Sequence, residues 1–144
     1  MVKKDTIQLL RECDAGLKMG IASIDEVRGY ARNGALREAL TECKRQHESL
    51  KDELQQALDR FGDDGKSPTP MAKSMSRIKT NVKLGFDTSD ATIADLMTDG
   101  CNMGIKSLTK YLNEYEAADE KAKDLTKKLI AQETQLLGQM KSYL

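Results

Sequence analysis

The sequence predicts an all-α chain of four long amphipathic helices, built as two helical hairpins joined by a long crossover that contains a short helix. Three observations lead there. Apolar residues recur at alternating steps of three and four over four separate stretches, the mark of one face of a helix. The only two prolines, Pro68 and Pro70, stand together in the densest loop signal of the chain, residues 62–70. Aromatic residues make up 4% with no Trp, whereas strands favour aromatic and β-branched side chains.

Asp5 with Gln8 reads as a capping box opening the first helix, expected over about 5–32, with Asn33 and Gly34 as its stop signal. Its stripe is Leu10, Cys13, Leu17, Gly20, Ile24, Val27 and Ala31. The second helix, about 34–61, shows Leu36, Leu40, Cys43, His47, Leu50, Leu54, Ala57 and Phe61, with His47 the polar exception. A short crossover helix over about 70–85 carries Met71, Met75, Ile78 and Val82, followed by Phe86. Asp87, Ser89 and Asp90 are N-cap candidates for a third helix, about 89–116, with Ala91, Ala94, Met97, Cys101, Gly104, Leu108, Tyr111 and Tyr115 inward. The fourth helix, about 119–143, shows Ala122, Leu125, Leu129, Gln132, Leu136, Met140 and Tyr143. Residues 1–144 read as one domain.

The two halves resemble each other. Met19, Gly20 and Ile21 recur as Met103, Gly104 and Ile105, and adding 84 to the first stripe lands on the third. A shift of 82 relates the second helix to the fourth. It places Gly20, His47, Gly104 and Leu129 at one middle level. Short turns make each hairpin antiparallel, and a long middle link lets the second and third helices run parallel.

Composition narrows the function classes. The chain has 144 residues, with 23 Lys and Arg against 23 Asp and Glu, so the net charge is zero. A polybasic nucleic-acid arm is excluded as the main business, and specific nucleic-acid binding is not expected. No apolar run approaches the length of a membrane span, and no secretory signal pattern opens the chain. Cys13, Cys43 and Cys101 form no CxxC pair and are odd in number, which suits reduced thiols and a cytoplasmic location. Neither GxxxxGK nor GxGxxG occurs, and a single histidine leaves little for acid–base or nucleophilic catalysis.

Two hairpins, the crossover, and Cys13-Asp14-Ala15-Gly16 echoed by Thr98-Asp99-Gly100 carry a resemblance. The chain resembles small uncharacterised bacterial four-helix proteins of the ferritin-like superfamily, domains of unknown function. The resemblance implies a ferritin-like bundle over nearly the whole chain. Members often place an acid after that glycine, where this sequence has Leu17 and Cys101.

A di-iron centre in such a bundle needs a Glu from each of two helices and Glu-x-x-His from each of the others. His47 is the only histidine and is preceded at three residues by Lys44, so no such centre is expected. His47 has three readings. It is a buried histidine satisfied by Gln132, a tyrosine hydroxyl or water; or a mononuclear iron, manganese or zinc ligand with Glu48, Asp14 or Glu133; or a pH-responsive core residue. No cofactor is expected outside the metal reading. The three cysteines fall on inward stripes and read as packing.

The segment from Lys66 to Phe86 holds five cations and no acid. Lys73, Arg77, Lys79 and Lys83 on a crossover helix could face an anionic partner, or its apolar face could simply dock on the bundle. The expected function is a non-catalytic structural or interaction protein, self-associating or binding a protein partner. The alternative is a metal-binding or stress-response protein with a reduced site around His47.

Overall fold

A computed structural model of the chain describes residues 2–68, 85 and 87–144. Four helices carry the fold: α1 (Val2–Arg28), α2 (Gly34–Asp59), α3 (Asp90–Glu114) and α4 (Glu120–Met140), closed by a 3-10 turn at Lys141–Tyr143. There is no strand among the described residues. Apart from Gly85, the crossover helix expected over 70–85, with Lys73, Arg77, Lys79 and Lys83, lies outside them.

The helix ends show which polar residues act as caps. Asn33 belongs to the start of α2: its side-chain oxygen accepts from the N–H groups of Ala35 at 2.8 Å and Leu36 at 3.2 Å. Ser89 caps α3 through the Thr92 N–H, and Asp119 caps α4 through that of Ala122. The capping box expected at Asp5 does not form, since α1 already begins at Val2. Asp5 instead accepts from the Ala117 N–H at 3.1 Å, and the Thr6 hydroxyl accepts from the Asp119 N–H at 2.8 Å. Both side chains fasten the far turn to α1. Gly62, at φ +65°, ends α2: Gly62 N–H bonds the Asp59 carbonyl and Asp63 N–H the Leu58 carbonyl, the pairing of a Schellman turn.

Asp90, opening α3, accepts from the N–H groups of Arg32 and Asn33. That bond places the start of α3 beside the start of α2. The α3–α4 turn meets the start of α1, so α3 lies antiparallel to α1. α2 and α4 also pack antiparallel, and α1 meets α4 across the centre. All four neighbouring pairs are therefore antiparallel, while α2 and α3 occupy opposite corners and run the same way. The end of α2 and the start of α3 therefore lie at opposite ends of the bundle.

The core divides into two apolar halves. One is built from Ile24, Val27, Leu36, Leu40, Cys43, Ile93, Met97, Cys101 and Leu136 and their neighbours, and Tyr143 packs against it. The other takes Leu9, Leu10, Leu17, Leu50, Leu54, Leu58, Leu108, Leu125 and Leu129, with Tyr111 and Tyr115 stacked beside it at 6.2 Å between ring centres. Each fully buried leucine contributes about 1.5–3 kcal/mol of burial free energy. The tyrosines sit at opposite ends of the bundle, where one edge of each ring stays near water.

Candidate functional site

The two apolar halves are separated by one polar layer. On α1 the core skips from Leu17 to Ile24, on α2 from Cys43 to Leu50, on α3 from Cys101 to Leu108, and on α4 from Leu129 to Leu136. The residues in those four gaps are Gly20, His47, Gly104 and Glu133. A glycine on each of α1 and α3 makes room for the two polar side chains of α2 and α4.

His47 is 1% exposed and Glu133 8%. The ring Nε2 lies 3.0 Å from Glu133 Oε1, and Nδ1 lies 2.7 Å from the side-chain oxygen of Gln132. Cys43, one turn before His47, holds its sulfur 3.8 Å from Nδ1. Cys101 of α3 lies within interaction range of Glu133. Burial opposes a charge on the ring, but hydrogen bonds and charge interactions with Cys43 and Glu133 outweigh it and raise the His47 pKa from 6.5 to about 10. Desolvation, reinforced by the Glu133 carboxylate, pushes the Cys101 thiol far above its ordinary range.

Of the four metal-ligand candidates, the fold joins His47 and Glu133 and separates the other two. Glu48 is on the α2 surface, 3.7 Å from the ammonium of Lys44. Asp14 is fully buried in the neighbouring core half, where its Oδ2 accepts from the Lys66 N–H at 3.0 Å and pairs with Lys18 at 2.8 Å. Its Oδ1 is buried with no protein partner. Arg11 pairs with Asp63 at 2.9 Å and Glu12 with the Lys66 ammonium, so α1 grips residues 63–66 at four points. Asp14 thus anchors the start of the crossover. Among the described residues, no three His, Cys, Asp or Glu side chains converge on a point suited to a metal ion.

Leu129 does not stand in the middle layer as the 82-residue shift expects; it faces Gly16 one turn away. The shift that superposes α2 on α4 is 86, pairing His47 with Glu133. The reason is visible in the hairpins. α3 runs ten residues beyond Gly104 to Glu114, whereas α1 runs eight beyond Gly20 to Arg28, so the second hairpin is the longer one. The signal in the sequence was Glu133 itself, an acid one position off an apolar stripe.

Comparison with protein-family models, with curated proteins and with solved structures gives no match. No helix among the described residues is long and apolar enough to cross a membrane.

Proposed function

We propose that this chain is a ferritin-like helical bundle acting in the cytoplasm as a non-catalytic structural or interaction protein, without a di-iron centre. One observation carries the reading. The middle of the bundle, the level at which a four-helix metal centre would be built from inward carboxylates and imidazoles, holds a single imidazole and a single carboxylate bonded to each other, opposite two glycines. The polar groups there are partnered by protein.

The second reading, a mononuclear metal site around His47, draws on Glu133 lying at bonding distance from Nε2, with Cys43 and Cys101 adjacent. Elemental analysis of the purified full-length protein after incubation with iron, manganese and zinc separates the two. The proposed function expects well under one metal per chain. Stoichiometric metal that is lost in both His47→Gln and Glu133→Gln overturns it in favour of the second reading.

A further inference from the structure

We infer that His47 is a fixed imidazolium, protonated on both ring nitrogens and paired with an ionised Glu133, and that this buried ion pair keys α2 to α4 in a single register. The first half follows from the hydrogen-bond directions. Gln132 presents its side-chain oxygen to Nδ1 at 2.7 Å, while its amide nitrogen donates to the main-chain oxygen of Gln46 at 3.4 Å. A main-chain carbonyl only accepts, so the Gln46 bond holds the amide with its oxygen toward the ring. The hydrogen between Gln132 and the ring therefore belongs to Nδ1. At the other side Nε2 faces a carboxylate oxygen at 3.0 Å. A proton shared between an imidazole and a carboxyl rests on the more basic imidazole, and the ring then carries two.

The surroundings from all four helices agree with that assignment. α1 offers Gly20, which has no side chain. α2 offers the Cys43 sulfur, a weak acceptor toward Nδ1. α3 offers Gly104 and the Cys101 thiol, both toward Glu133. α4 offers Gln132 and Glu133. No second cation faces the ring among these groups, and the shift of the ring to about 10 has the same sign.

The second half follows from periodicity. Above and below the layer, α2 and α4 meet through leucines at helical spacing, so sliding one helix past the other by a turn or two would still set apolar on apolar. Such a slip would bring His47 against Leu129 or Leu136 and leave two buried charges unpaired. An uncompensated buried charge is strongly destabilising. The pair thus acts as buried polar residues do in coiled coils, selecting one alignment among several of similar apolar burial. A doubly protonated ring also has no lone pair for a metal, so any metal at His47 would first have to expel a proton.

Nitrogen-15 spectra of the full-length, metal-free protein test the charge state, and the single histidine makes the assignment unambiguous. Between about pH 6 and about pH 8.5 both ring nitrogens are expected at imidazolium shifts, with neither moving. A pyridine-type nitrogen signal at neutral pH, from a neutral ring beside a protonated Glu133, overturns the assignment. Glu133→Gln is expected to bring the ring transition down into that pH range. For the register, the apolar double variant His47→Leu/Glu133→Leu is expected to stay helical but to show multiple or broadened core signals. A single sharp set matching the parent chain overturns the keying role.

Discussion

Gly20 of α1 faces His47 of α2 so closely that a methyl group added to Gly20 would sit 3.0 Å from ring Cδ2 and 3.1 Å from Nε2. The ring is held by hydrogen bonds at both nitrogens, and one acceptor, Glu133 Oε1, itself lies 3.5 Å from the same methyl. Its counterpart Gly104 is looser, the same methyl meeting Glu133 at 3.7 Å, an ordinary contact. Ala in a helix interior is favoured over Gly by about 0.5–1 kcal/mol. Gly104→Ala is therefore expected to stabilise the fold by about that much. Gly20→Ala is expected to destabilise it by about 1–2 kcal/mol, overpacking outweighing the helix gain. Urea unfolding of the two variants checks the opposite signs; equal effects would contradict the packed layer.

Stability should fall as pH rises above neutrality. The His47 pKa is about 10 in the folded chain against 6.5 unfolded. The folded state then binds the proton more tightly, so its contribution is fully present below 6.5 and lost on the way to 10. The slope within the window is at most about 1.4 kcal/mol per pH unit. Urea midpoints at about pH 6 and about pH 7.5, below the range in which unfolded cysteines ionise, should show the drop, and Glu133→Gln should flatten it. A midpoint that does not move across the window would count against the paired ring.

Gly65 lies at φ +90°, and any side chain there would run into Asp14 Oδ2. Gly65→Ala combines left-handed strain with loss of space for the anchor, and is expected to cost about 1–3 kcal/mol. Asp14→Ala leaves the Lys66 N–H without its acceptor and should cost about 1–3 kcal/mol. Hydrogen exchange at the Lys66 amide reads both, and is expected to speed up in each variant. Unchanged protection would remove Asp14 as the anchor.

The buried thiols should be inert in the native chain. Burial is the main cause raising the Cys13 pKa to about 12, and Cys101 is raised by burial and by Glu133. The thiolate is the reactive form. A thiol-specific reagent at neutral pH is expected to label Cys13 and Cys101 only at the rate of unfolding, and rapidly in urea. Fast native labelling of either would contradict their burial.

Much of this arrangement is legible in the stripes. Leu36, Leu40, Leu50 and Leu54 fall inward because 3.6-residue periodicity leaves no other face, and the gap at His47 is visible as a break in it. Gly20 and Gly104 stand at one level, as their shared 84-residue spacing implies. Glu133 was harder to place. Its depth depends on the two extra residues of α3 before the turn, and a stripe of similar leucines does not report helix length to within half a turn. The roles of Asp5 and Thr6 were hidden for a different reason. Their partners, Ala117 and Asp119, are more than one hundred residues away, and a local capping pattern competes with them on paper.

The sequence by itself determined the four long helices, their inward faces and the break in the second stripe, because these follow from local periodicity and from proline and glycine. Only the tertiary structure decided that His47 meets Glu133 and Gln132, that Asp14 holds the crossover, and that Glu48 stays outside. Those outcomes depend on how far one helix is displaced along another. That displacement is set by turn lengths, by which glycines admit a side chain, and by the cost of leaving a buried charge without its partner.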